Sequence, residues 1–106
     1  MVITKVVWTK EAIESFRETI DFYKYSLNEQ VANKRRLLVL SKVQGLIKFS
    51  EVGQIEENEV IKDLNCRYLV AGFCKIIYRL NDNQVEILKV FDTRQRPDKM
   101  KLEELN

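Results

Sequence analysis

The chain has 106 residues, 45% of them apolar and 32% charged, with 18 bases against 16 acids and a net charge of +2. That length supports one hydrophobic core and not two, and 3 Gly with 1 Pro exclude long flexible linkers and collagen-like or proline-rich segments. No apolar run approaches the roughly 20 residues that span a bilayer, and the absence of histidine excludes Ser–His and Cys–His nucleophile pairs and any imidazole base.

Residues 2–8 are rich in β-branched side chains (Val2, Ile3, Thr4, Val6, Val7) and predict a first strand. The first eight residues lack a basic start and a small-residue cleavage site, so no signal peptide is expected and the location is read as cytoplasmic. Thr9 is a good N-cap, with Glu11 in the first turn where the helix dipole favours an anion. Ile13, Phe16, Ile20, Tyr23 and Leu27 then recur in steps of three and four, which predicts an amphipathic core helix with that stripe buried. Ser26 and Glu29 have capping-box spacing and Asn28 is an alternative cap. A second helix is predicted from about Glu29 to Phe49. Its wide apolar stripe calls for burial against both the first helix and a sheet. Lys34, Arg35 and Arg36 form a basic cluster near its start, read as a solvated face that could extend a basic surface.

Residues 50–66 are polar and acidic and predict a connecting loop, with a short extended piece at Val60 and Ile61. Strands follow at Arg67–Ala71 and Phe73–Leu80, punctuated by Gly72. After a polar turn at residues 81–83 comes a third strand, to Phe91. In the second of these, Cys74, Ile76, Tyr78 and Leu80 should face the core, leaving Phe73, Lys75, Ile77 and Arg79 outward. In the last, strict alternation sets Val85, Ile87, Lys89 and Phe91 against Glu86, Leu88 and Val90. Three strands close in sequence should form an antiparallel meander with the helical hairpin packed on one face. The prediction is a single α+β domain over residues 1–106, with a tail at 98–106 that frays.

Charge is unevenly spread. Residues 51–66 hold five acids and one base, and residues 67–101 hold eight bases and four acids. A basic half suits a polyanionic partner, either nucleic acid or an acidic protein segment. Lys75, Arg79, Lys89, Arg94 and Arg96, on the hairpin and its tail, are the candidate functional cations. Each also has a plain structural reading: Arg79 can pair with Glu86 across the hairpin, Asp92 with Arg94 locally, and Tyr78 can be a core aromatic with a bonded hydroxyl. Cys66 and Cys74 are expected as small buried hydrophobes rather than a disulfide, and two Cys without His make a metal site improbable.

The element order β-α-α-β-β-β, Trp8 and Thr9 entering the first helix, and Arg67 two residues before Leu69 together point to a family. So do the strand from Lys75 to Arg79 and the closing Phe91, Asp92, Thr93, Arg94, Gln95 and Pro97. The whole resembles the RelE/ParE superfamily, the small toxins of type II toxin–antitoxin modules, over nearly the full chain from Val2 to about Pro97. The resemblance implies a growth inhibitor neutralised by a cognate antitoxin, with no cofactor and no metal, as a homodimer or in a heterotetramer with the antitoxin. It also implies one of two targets. RelE-like members are metal-independent endoribonucleases that cut messenger RNA on the ribosome, and ParE-like members inhibit DNA gyrase.

For a nuclease the resemblance implies Lys75, Arg94 and Arg96 as catalytic residues; either Lys75, beside Arg79, acts as base through a lowered pKa, or the cations only clamp the phosphate. Arg67, Arg79 and Lys89 would contact nucleic acid or target. Three departures weigh against the nuclease pattern. No Tyr lies beyond Tyr78, Asp92 stands where many members have His, and Lys75 replaces an arginine and loses its bidentate fork. The balance tips to a ParE-like, gyrase-directed protein that is not a nuclease. The alternatives are a RelE-like ribosome-dependent endoribonuclease and a degenerate member that only binds a partner.

Overall fold

The computed structural model describes residues 2–55 and 66–94. Strand β1 (Lys5–Trp8) leads into α1 (Lys10–Ser26) and α2 (Glu29–Gly45), followed by β2 (Gln54–Ile55), β3 (Arg67–Ala71), β4 (Cys74–Asn81) and β5 (Gln84–Asp92). The strands form one sheet in the order β1-β5-β4-β3-β2. The predicted antiparallel meander is present as β3-β4-β5. Two additions enlarge it: β1 pairs parallel with β5, and the two-residue β2 extends the far edge beside β3. The expected extended piece at Val60 and Ile61 and the tail 98–106 lie outside the described residues.

Local chemistry explains the helix boundaries. Thr9 Oγ1 accepts from the Ala12 N–H at 3.1 Å, and its own hydroxyl donates to the Ile87 carbonyl at 2.9 Å, so one residue caps α1 and fixes it to β5. Asn28, not Ser26, caps α2, its Oδ1 accepting from Val31 N at 2.8 Å. Helix α2 stops at Gly45, short of the predicted Phe49, and Phe49 itself is exposed.

The stripe predicted to be the buried face of α1 is only partly so. The buried residues are Ala12, Ser15, Thr19 and Tyr23, whereas Ile13 is 46% exposed and Leu27 58%. Small and hydroxyl-bearing side chains bring α1 close to β5. Ile13, Phe16 and Ile20 turn toward α2 and line, with Trp8 and Leu40, an open groove of about 320 Å³.

The sheet has an apolar layer on each face. Toward the helices lie Ala71, Cys74, Ile76, Tyr78, Val85, Ile87 and Val90, packed with Val39, Val43 and Leu46. On the opposite, outer face Cys66, Ile77, Leu88 and Phe91 form a second buried cluster with Tyr68. Ile77, expected to face outward, does so and is nonetheless 1% exposed.

The strict alternation expected for β5 fails at a β-bulge. Ile77 pairs with Lys89 but Tyr78 pairs with Ile87, leaving Leu88 as the extra residue. The phase therefore shifts by one: Val85 and Ile87 face the helices before the bulge, Val90 after it, and Lys89 and Phe91 move to the outer face. A period of two cannot survive an inserted residue.

Candidate functional site

Strand pairing places the predicted cations on separate surfaces. Lys75, Arg79 and Lys89 are on the outer face, opposite Phe91, Glu86 and Ile77 respectively. The Lys75 ammonium lies 4.3 Å from the centroid of the Tyr68 ring, a cation–π contact. Arg79 donates from Nε to Glu86 Oε1 at 3.2 Å, the cross-hairpin pair anticipated from the sequence. Lys89 is 3% exposed, so it is part of the packed outer layer rather than an open contact point. Lys75 and Arg79 are four residues apart on one strand, about 13 Å at the usual rise, with buried Ile77 between them. Lys75 and Arg79 are therefore not neighbours on the sheet.

Arg67 belongs to the other face and the other edge. Its Nη1 donates to the carbonyls of Gly53 at 2.9 Å and Glu51 at 3.3 Å. The Tyr78 hydroxyl donates to the Ser50 carbonyl at 2.9 Å and accepts from Gly53 N at 3.0 Å. Together they clamp the segment that leads into β2. Burial raises the Tyr78 phenol despite the Gly53 N–H that opposes it. Arg96 lies outside the described residues.

The most organised polar cluster surrounds Arg94. Asp92, fully buried at the end of β5, accepts four bonds: from Tyr23 Oη at 2.6 Å, and from the Arg94 backbone N at 2.7 Å, Nε at 3.1 Å and Nη2 at 2.8 Å. Cys74 Sγ is 3.1 Å from the same Tyr23 hydroxyl. Burial alone would push the Asp92 carboxyl up, but the Arg94 and Tyr23 hydrogen bonds outweigh it and hold the group below the usual carboxylate range. Burial pushes the Tyr23 phenol well above its ordinary value, reinforced by the Asp92 and Cys74 bonds. It raises the Cys74 thiol as well. No member of this cluster is thus a ready base or nucleophile near neutral pH. Asp92 has its acceptor sites filled, and Tyr23 and Cys74 stay protonated. The chemistry it offers is a positioned cation: Arg94 spends Nε and Nη2 on Asp92 and rests over the Phe73 ring 4.0 Å from its centroid.

Residue type and position single out Arg94 and its pairing with Asp92, but periodicity places Tyr23 in an apolar stripe and Arg35 in a solvated cluster. The available signal was chemical: a Tyr on the buried side of a helix needs a partner for its hydroxyl, and a strand ending in Asp can supply one. Among the described residues no group of three or more His, Cys, Asp or Glu is placed to hold a metal ion. No helix of the described chain is long and apolar enough to cross a membrane.

Comparison with known proteins gives a family and a fold. The family described as "ParE toxin of type II toxin-antitoxin system, parDE" matches residues 6–97. Among solved structures, a chain of the chromosomal ParDE toxin–antitoxin system from P. aeruginosa superposes with a TM-score of 0.69 at 18% identity, covering 86% of this chain and 96% of that one. No curated protein matches the sequence.

Proposed function

Because the chain belongs to the ParE toxin family of type II toxin–antitoxin systems, we propose that it arrests growth by binding DNA gyrase as a protein ligand, and that a cognate antitoxin in the cytoplasm neutralises it by direct binding. The observation that carries the non-nuclease reading is the bonding state of the site. Cleavage at a phosphodiester needs a base for the attacking hydroxyl and an acid for the leaving oxygen. Asp92 accepts four hydrogen bonds, and Tyr23 is buried and donates inward. Arg79 and Arg67 are likewise bonded to groups of the protein itself. Such a surface presents fixed charge and shape, which suits recognition.

The groove between α1 and α2 supports the antitoxin part of this reading. It is bordered by Arg17, Asp21 and Arg36 around an apolar floor, the pattern that accepts an amphipathic helix. Ile13→Glu at its exposed margin is expected to leave growth arrest intact and to abolish rescue by co-expressed antitoxin. Rescue equal to wild type would remove the groove from the reading.

The competing reading is a ribosome-dependent messenger RNA endoribonuclease using Lys75, Arg94 and Arg96. The half-buried Lys75 ammonium over Tyr68 is the feature in its favour. Expression of the chain without antitoxin separates the two. Growth arrest with inhibited gyrase supercoiling and intact messages is expected. New 5′ ends inside codons, with supercoiling unaffected, would establish the nuclease instead, and folded protein with no growth effect would establish a binding-only member.

A further inference from the structure

The turn joining β3 to β4 is flanked by two arginines that lie far apart in the sequence. Gly72 has a φ of +66°, in the left-handed region. Arg35 of α2 lies so close over it that any Cβ there would collide with the Arg35 guanidinium. The next residue, Phe73, carries the Arg94 guanidinium over its ring at 4.0 Å, and the Phe73 carbonyl accepts from Thr93 N at 2.9 Å, which ties the strand end to the turn. Gly72 and Phe73 are neighbours with Cα atoms about 3.8 Å apart, so the two guanidiniums contact adjacent residues of one turn. Both are near enough to the Cys74 thiol to act on it electrostatically.

The two cations differ in their bonding. Arg94 is clamped by Asp92, which Tyr23 holds from below. Arg35 forms no ion pair with a carboxylate among the described residues. Phe73 is 47% exposed.

We propose that this turn is a carboxylate-binding site, in which Arg35 and Arg94 take up an acidic side chain of a protein partner and the open face of Phe73 packs against an apolar residue beside it. Guanidinium forks match carboxylates in bidentate geometry. The positive charge is local, in a chain of net charge only +2, whereas nucleic-acid binding draws its affinity from many phosphate contacts along a basic surface. An exposed phenylalanine on a turn that two arginines contact fits a peptide carrying one acidic and one apolar side chain. In this arrangement Tyr23 is a positioning residue that acts on Arg94 through Asp92. The inference rests on the reading of the chain as a protein-binding toxin.

The test titrates the full chain, labelled with ¹⁵N, with an acetylated peptide of alternating glutamate and leucine, and separately with a short oligothymidylate. The Nε–H signals of Arg35 and Arg94 and the amides of Gly72, Phe73 and Cys74 should follow one saturation curve with the peptide. Arg35→Ala and Arg94→Ala should each weaken it about tenfold, as loss of a charge-assisted contact implies. Arg35→Lys should fall between, and Tyr23→Phe should weaken binding while leaving the Arg35 contact in place. Unmoved arginine signals, unchanged affinity in either alanine variant, or tighter binding of the oligothymidylate would overturn the proposal. Gyrase supercoiling measured on the same preparations keeps the two readings apart. Inhibition by a wild-type chain that ignores the peptide defeats the site alone, and a chain that binds the peptide without inhibiting supercoiling defeats the gyrase target alone.

Discussion

Asp92 shows how one residue type, placed at the end of a strand, sets the character of a whole cluster. A buried carboxylate is costly unless its lone pairs are filled, and four donors fill them here. Its pKa in the folded chain is depressed. The stability it contributes is therefore fully present above the unfolded value of about 3.9 and is lost as pH falls from there through the folded value. Asp92→Asn should lower stability at pH 7 by about 2 kcal/mol, because the amide turns an NH₂ toward groups that are themselves donors. The gap to wild type should narrow as the pH drops below about 4. Urea midpoints at pH 7 and at pH 3 check this. A gap that is constant with pH would mean that the carboxylate is not ionised in the folded chain.

At the level of elements, the notable pairing is between α1 and the open part of β5. Strand β1 pairs with β5 only as far as Ile87. Beyond that point the backbone of β5 lacks a strand neighbour on this side among the described residues, and unpaired buried backbone groups are costly. Hydroxyls of α1 and its cap take over. Thr9 Oγ1 reaches the Ile87 and Leu88 carbonyls, Ser15 Oγ accepts from Val90 N at 3.0 Å, and Thr19 Oγ1 donates to the Ser15 carbonyl at 2.8 Å with a longer contact of 3.3 Å to the Val90 carbonyl. This is why polar residues occupy the buried face of the helix, and it falls just past the bulge at Leu88. Ser15→Ala should cost about 2 kcal/mol by orphaning the Val90 N–H, and should lower the melting temperature by roughly 10 °C. A calorimetric shift near zero would show that Val90 N finds another acceptor.

On the scale of the whole molecule, two apolar layers on a single sheet separate the cysteines. Cys74 is packed under the helices and Cys66 in the outer cluster; both are fully buried and neither is disulfide-bonded. Thiols on opposite faces of one sheet do not meet. Burial also keeps Cys74 protonated, so thiol reagents should modify neither cysteine in the native chain and both in denaturant, as read by absorbance after thiol–disulfide exchange. Rapid modification of the native chain would show that one layer opens. The same two-layer arrangement sorts the cations: Lys75, Arg79 and Lys89 belong to the outer layer, while Arg94 is drawn by Asp92 to the side where Tyr23 lies.

Local order was legible in the sequence because its causes are local. The Thr9 cap, the β-branched first strand, the turn at Asp82 and the Arg79–Glu86 pair each depend on residues near in the chain or joined by one tight hairpin. The motifs around Arg67, Lys75 and Arg94 were enough to point to the toxin family. The rest depends on contacts between distant segments. The parallel pairing of β1 with β5, the bulge at Leu88 and the turn of Ile13, Phe16 and Ile20 toward α2 leave no mark in a periodicity, since a periodicity says that a face is apolar and not what covers it. The site follows the same division. Arg94 could be singled out by its type and position, but its orientation comes from Tyr23, which is 69 residues from Asp92 in the chain. Arg35 reaches Gly72 only because α2 folds back over the β3–β4 turn. Hydrogen-bond and ion-pair geometry acts over a few ångströms, and only the folded chain brings those groups within that range.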